Sequence, residues 1–372
     1  MRIGITGQSG FVGNHLFNIL GLNSSFERVP FEDSFFEDEQ HLRTFVKQCD
    51  VIVHLAAVNR DPNPIVIYNT NLILVRGLIS AMEVEGVTPH LIFSSSIQEE
   101  RDNLYGKSKR EGRELLEEWA KRVGATFTGL VIPNVYGPFS KPNYNTFIAT
   151  FAHQLINGET PNIQEDGNIK LVYVNSLCSF IINQIINAKK GSITRVDVPY
   201  DFEKRVSKIL SLFISFKELY AEKGFIPNLK DINEVNLFNT FRSYLNYSTH
   251  FPVKLVKNSD PRGFFVETIK LGIGGQVSFS TTIPGVTRGN HYHTRKIERF
   301  TVIRGKARIQ LRKIGSEDVI NLFLDGNEPS YVDMPVWYTH NITNIGEEEL
   351  YTQFWINEWY NPQDGDTFFE EV

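Results

Sequence analysis

Through the first ~200 residues, short β-branched and apolar runs alternate with stretches of helical period. The runs at 2–6, 50–55, 90–94, 126–132 and 171–174 predict strands. The stretches at 12–20, 71–84, 108–122 and 146–157 predict helices. Strand and helix in strict alternation predict βαβ units, hence a doubly wound α/β layer with a parallel sheet covered on both faces. From Asp201 to about Tyr247 the pattern stays helical. After His250-Phe251-Pro252 it changes to period-2 runs broken by glycine turns, at 263–269, 276–282, 300–303, 307–311, 330–333 and 351–355. That texture predicts an all-β barrel or sandwich. The expected domains are therefore 1–247 and 253–372.

Composition narrows the class without changing this layout. The chain has 372 residues, 41% hydrophobic and 22% charged, which excludes a disordered or collagen-like chain. With 38 Lys and Arg against 43 Asp and Glu, the net charge is −5, so a generic nucleic-acid binder is not expected. Cys49 and Cys178 lie far apart, too few for a disulfide framework or a zinc knuckle. The amino terminus enters a strand directly, and apolar runs such as 51–58 fall short of the roughly 20 residues a membrane helix needs. A cytoplasmic protein in a reducing compartment, without membrane or nucleic-acid partners, is expected.

Charge is unevenly placed. Residues 286–313 hold nine Lys and Arg against one acid, Glu298, whereas residues 314–372 hold thirteen acids and no Lys or Arg. Two strand faces that neutralise each other account for most of this. A basic strip around Arg288 can also hold a small anion.

Thr6-Gly7-Gln8-Ser9-Gly10-Phe11-Val12-Gly13 lies between a predicted strand and a predicted helix. Glycines at 7, 10 and 13 allow a tight turn, close pyrophosphate approach and close helix packing, and the helix start offers free N–H groups to phosphate. A plain βα turn would need less glycine. Further on, Tyr105 and Lys109 stand four apart, on one helical face. An ammonium beside a phenol lowers the cost of the phenolate, so the pair can exchange a proton with a substrate oxygen. Upstream, a strand ends in Ser94-Ser95-Ser96, whose hydroxyls can bond the same oxygen. Each motif alone is a common accident; in this order, after the glycine turn, they form a set.

Over residues 1–247 these motifs resemble the extended short-chain dehydrogenase/reductase family, in particular its nucleotide-sugar members. His54-Leu55-Ala56-Ala57 is similar to the loop that passes the cofactor, Asn71 to a structural Asn, and Pro133-Asn134-Val135-Tyr136-Gly137-Pro138 to a substrate-side motif. The resemblance implies a Rossmann-type fold, with Ser96, Tyr105 and Lys109 catalytic. It implies that Gly7, Gly10, Phe11, Val12, Gly13, Leu55, Ala56 and Ala57 hold the cofactor and that Asn134 meets substrate. At the end of the second strand, NAD binding calls for an acid on the ribose 2′-hydroxyl. Here Arg28 follows Glu27, so NADPH is expected, with NADH as the alternative. Val174-Asn175-Ser176 departs from the acidic residues usual in relatives.

The densest motif is carboxy-terminal: His291-Tyr292-His293, then Glu298, then His340 in Pro335-Val336-Trp337-Tyr338-Thr339-His340. On a strand, His291 and His293 would point to one face. Three imidazoles and a carboxylate suit a divalent transition metal with open positions. These segments resemble the two motifs of the cupin superfamily, which implies a jelly-roll barrel over 253–372. Asp260-Pro261-Arg262-Gly263-Phe264-Phe265-Val266-Glu267 and Arg288-Gly289-Asn290-His291 further resemble dTDP-4-keto-sugar 3,5-epimerases. That likeness implies diphosphate binding by Arg262 and Arg288, and makes His291 either base or metal ligand. With His293, Glu298 and His340 present the ligand role is preferred, zinc is expected, and Tyr338, Tyr292 and Lys296 are left as base candidates.

Together the two resemblances imply an epimerase-reductase for a UDP-linked 4-keto-6-deoxy amino sugar of capsule or O-antigen synthesis. The expected reaction is C3 epimerisation of a UDP-2-acetamido-2,6-dideoxy-4-hexulose and reduction to UDP-2-acetamido-2,6-dideoxy-L-talose by a homodimer. The alternative keeps the reductase and makes the cupin a non-catalytic dimerisation or sugar-sensing module.

Overall fold

The computed structural model describes residues 1–372 except Asn145, Pro261, Arg262, Glu267, Ile273 and Trp359, with backbone alone at 258–260 and 263–266. It divides into two compact units, 1–150 with 165–206 and 151–164 with 207–372.

The first unit runs β1 (Arg2–Thr6), α1 (Phe11–Leu20), β2 (Glu27–Val29), α2 (Glu39–Gln48), β3 (Val51–His54), α3 (Pro64–Glu85), β4 (His90–Ser96), α4 (Leu104–Val123) and β5 (Phe127–Ile132). It continues with β6 (Asn134–Tyr136), β7 (Asn168–Tyr173), β8 (Ile193–Asp197) and β9 (Phe202–Arg205). Six strands make one sheet in the order β2-β1-β3-β4-β5-β8, all parallel. Every residue of β3 and β5 is buried, because helices cover both faces. Phe45, Ile52, Val75, Leu78, Phe93, Trp119 and Phe127 belong to the core on one side. The strand order reverses between β1 and β3, and ligands of open α/β sheets bind outside the strand ends at such a reversal. This is the expected Rossmann-type doubly wound fold.

By length and composition α3 could cross a membrane, a feature the short apolar runs did not lead one to expect. One side of it is buried, through Ile67, Leu72, Val75, Leu78 and Met82, while Ile65, Ile73 and Val84 are exposed.

The second unit holds two five-stranded sheets whose paired strands run antiparallel. One joins Val253–Lys254, Ser330–Met334, Glu298–Arg304, Leu350–Ile356 and Gln276–Thr282. The other joins Val319–Asp325, Lys306–Lys313, Tyr338–Asn344, Thr287–Tyr292 and Phe368–Phe369. Phe300, Val302 and Val332 from the first meet Ile309, Leu322 and Ile342 from the second in a shared core, a cupin-like sandwich. Residues 207–247, expected to end the first domain, fall in this unit instead. Buried polar contacts tie them there. The Tyr220 hydroxyl donates to Asp333 at 2.7 Å, Asn239 donates to the Arg295 carbonyl at 2.9 Å, and Arg242 donates to the Met334 carbonyl. Arg299 donates to Asp333 at 2.7 and 2.9 Å and to the Gly224 carbonyl at 3.1 Å.

The uneven charge resolves largely as the neutralising faces expected. Arg295 pairs with Glu358 and Asp364, Arg299 with Asp333, Arg304 with Glu348 and Arg312 with Glu370.

Candidate functional sites

In the first unit a cavity of about 700 Å³ opens at the sheet reversal. Gly7 turns with φ +70°, and a Cβ there would stand 2.8 Å from the Ala56 nitrogen. A Cβ on Gly13 would stand 2.1 Å from the Gly7 carbonyl oxygen, so the helix start can approach the turn only because that position is glycine. Gly7, Gly10, Phe11, Val12, Gly13, Leu55, Ala56 and Ala57 all line the cavity, as do Ser96, Tyr105, Lys109 and Asn134. This cradle, which side chains would fill, fits the pyrophosphate of a dinucleotide.

The Ser, Tyr and Lys are brought together by β4 and α4. Lys109 is buried, and its ammonium donates to the Ser94 carbonyl at 2.9 Å and sits 5.9 Å from the Tyr105 ring centre. Ser96 accepts from the Gln98 nitrogen at 3.2 Å. Ser95 donates to Glu99, whose carboxylate also holds Arg113 at 2.9 Å. Asn71 pins the site from behind: it accepts from the Val58 nitrogen at 2.8 Å and donates to the Val58 carbonyl and Ser108 hydroxyl, both at 3.0 Å.

Burial dominates the proton chemistry. It pushes Tyr105 up to about 12, helped by Tyr144. It pushes Lys109 down to about 8 against the pull of Glu99. The expected easing of the phenolate by Lys109 is outweighed, and the phenol is held protonated, the form a proton donor needs.

Arg28 is not on the cavity wall. It donates to the Phe17 carbonyl at 3.2 Å and lies 4.4 Å from the Phe17 ring centre. The ionisable side chain lining the cavity beyond the end of β2 is Asp33, which accepts from the Ser9 hydroxyl at 2.8 Å. A strand of only three residues hid its own end from sequence reasoning.

In the second unit a cavity of about 350 Å³ is lined by Arg288, His291, Glu298, Phe300, Phe354, Tyr360 and others. Donor atoms of His291, His293, Glu298 and His340 lie within 4.8 Å of one another. His293 stands just past the end of the Thr287–Tyr292 strand, not within it, after an irregularity between Gly289 and His291. The two rings still meet, with centres 5.1 Å apart.

Hydrogen bonding orients the imidazoles. Nδ1 of His293 is 2.5 Å from the Asp366 carbonyl, and Nδ1 of His340 is 3.2 Å from the Tyr338 carbonyl. Each Nδ1 therefore carries hydrogen, which turns the Nε2 atoms towards one Glu298 oxygen, at 3.0 and 3.3 Å. The buried Nε2 of His340 has no hydrogen-bond partner among the described residues. Lone pairs facing a carboxylate at this spacing suit a cation between them.

Arg288 lines this cavity; Arg262 lies outside the described residues. The base candidates do not line it. Tyr292 stacks on Trp337, Tyr338 lies 5.5 Å from the Tyr247 ring centre, and Lys296 donates to the Gly365 carbonyl. Tyr360, which the sequence did not single out, does line it.

Residues 3–192 match the model of the NAD dependent epimerase/dehydratase family. The chain belongs to this family. Beyond the family's segment, residues 258–368 match the polysaccharide biosynthesis C-terminal domain. One relative matches both parts: UDP-2-acetamido-2,6-beta-L-arabino-hexul-4-ose reductase of Pseudomonas aeruginosa is 32% identical, over 99% of this chain and 98% of its own. Spore coat polysaccharide biosynthesis protein SpsL of Bacillus subtilis is 30% identical over 30% of this chain and 82% of its own. Among solved structures, capsular polysaccharide assembling protein CapF of Staphylococcus aureus is 34% identical, with a TM-score of 0.63 and full coverage of both chains.

Proposed function

We propose that this family member is a two-site sugar-nucleotide enzyme of polysaccharide synthesis. Its second unit epimerises C3 of UDP-2-acetamido-2,6-dideoxy-4-hexulose, and its first reduces the C4 ketone with NADPH or NADH to UDP-2-acetamido-2,6-dideoxy-L-talose. The observation that carries this reading is the end-to-end likeness to a 4-ketose reductase in a chain with two separately lined cavities. Burial of Cys49 and Cys178 as free thiols fits a cytoplasmic location.

In the first cavity the glycine cradle and the start of α1 would hold the dinucleotide's pyrophosphate, and Leu55, Ala56 and Ala57 would flank it. When bound, the reduced nicotinamide supplies the hydride. Tyr105, kept protonated by burial, donates the proton to the C4 oxygen, and Lys109 supplies positive charge beside it. Ser96 is placed to donate a hydrogen bond to the same oxygen, and Asn134 to hold the sugar.

In the second cavity His291, His293, Glu298 and His340 would hold a divalent ion, zinc by donor type, which polarises a ketone oxygen when bound. A C4 ketone acidifies the C3 hydrogen, so removal and return of that proton on opposite faces inverts C3. Arg288 at the cavity edge is placed for a diphosphate oxygen. Phe300, Phe354 and Ile356 give the wall an apolar stretch suited to a deoxy position.

The test is incubation of the 4-keto sugar nucleotide in deuterated water without reduced cofactor. Deuterium is expected at C3, and NADPH then yields the reduced sugar labelled there. Reduction without label would remove the epimerase role and leave a reductase with a non-catalytic cupin.

A further inference from the structure

The chain passes from His293 to Glu298 through a short loop, and one residue near the carboxyl terminus holds that loop in place. Asp366 Oδ1 accepts from the Thr294 nitrogen at 3.0 Å and the Thr294 hydroxyl at 2.7 Å. Its Oδ2 accepts from the Arg295 nitrogen at 3.0 Å and the Lys296 nitrogen at 2.9 Å. Its carbonyl accepts from His293 Nδ1. Asp366 is 4% exposed and adopts φ +39°, uncommon for a residue with a side chain. The segment around it is anchored as well, Arg295 pairing with Asp364 at 3.0 Å and Glu358 at 3.2 Å.

We propose that Asp366 is a positioning residue of the metal centre, resting on the metal reading above. Through its carbonyl it fixes hydrogen on His293 Nδ1, which leaves Nε2 as the ligand atom. Through its carboxylate it ties down three consecutive loop residues, and so sets the spacing of His293 against Glu298. Two acceptor oxygens are needed, because four donors converge on the side chain. An amide offers one acceptor and turns an N–H towards the loop's own N–H groups. Outer partners of this kind commonly govern metal affinity by about 10–100-fold.

The test uses the full chain freed of metal with a chelator and titrated with Co²⁺, whose visible absorption reports coordination. Wild type, Asp366→Ala, Asp366→Asn and His340→Ala are compared, with folding checked by circular dichroism. Asp366→Ala should bind cobalt about 10–100-fold more weakly with an altered visible band, and Asp366→Asn should show a smaller loss. A folded Asp366→Ala that matches wild type in affinity and spectrum would overturn the positioning role while the centre stands. Should that variant not fold, a match by Asp366→Asn decides the same way. Wild type that takes up no cobalt overturns the centre itself, and with it the clamp. Loss of cobalt by His340→Ala beside an unaffected Asp366→Ala separates the two failures.

Discussion

Tyr105 and Lys109 are both desolvated, and their shifts have opposite consequences for a reductase. Tyr105, at about 12, stays protonated across the working range. Lys109, at about 8, loses its charge first as pH rises. Reduction should therefore be flat below about pH 8 and fall above it, and Lys109→Arg, which keeps its charge, should move the fall upward. A pH profile of NADPH oxidation checks this; an inflection near the ordinary lysine value would count against it. The same shift acts on stability. Above about pH 8 and below 10.5 the unfolded chain binds a proton at this lysine that the folded chain does not, so this group makes stability rise with pH through that window. Tyr105→Phe removes the donor and should slow reduction by at least about 10²-fold, read by steady-state cofactor oxidation. Asp33 lines the cavity and Arg28 does not, so the cofactor preference is expected to follow Asp33. A carboxylate near the ribose favours a 2′-hydroxyl over a 2′-phosphate. Asp33→Asn should shift the kcat/KM ratio towards NADPH, and Arg28→Ala should leave the ratio unchanged.

The helices of residues 207–250 act as part of the β unit. Arg299 and Asp333 lie at 1% and 0% exposure, so removing one leaves the other charged and buried. Asp333→Ala should cost about 3–5 kcal/mol, whereas Tyr220→Phe, which removes one hydroxyl from the same carboxylate, should cost about 1.5–3 kcal/mol. Urea unfolding of the second unit measures both; equal small losses would mean that the pair is not what joins helix to sheet. This arrangement was hidden in the sequence. Helical period reads alike whichever unit a helix packs on, and Tyr220 and Asp333 are 113 positions apart. The strand at 276–282 was legible to the residue, since period-2 alternation is local. So was Tyr105 with Lys109, because four residues bring side chains together on a helix. Asp366 was not legible, since its five contacts are to residues 70–73 positions away and follow no pattern.

At the scale of the whole chain, the chemistry orders the two sites. On the proposed reading, reduction at C4 would destroy the acidity of the C3 hydrogen, so epimerisation would precede it and the 4-ketone with inverted C3 would be the compound that passes between them. Hydride transfer would then draw an unfavourable epimerisation forward. If each unit performs its own step, the steps should separate by mutation and recombine by mixing. Tyr105→Phe should retain deuterium exchange at C3 and form no reduced sugar. His340→Ala, with one of the proposed metal ligands gone, should exchange no deuterium and still oxidise NADPH with substrate already epimerised. Mixing the two variants should restore the product formed from the unepimerised ketone. Its rate should depend on the concentration of each protein, because the intermediate must leave one molecule and enter another. Product analysis by NMR over a dilution series reads this directly. Failure of the mixture, with each variant active on its own step, would mean that the intermediate is not released to solution. Loss of both activities in Tyr105→Phe would instead place the two steps at a single site.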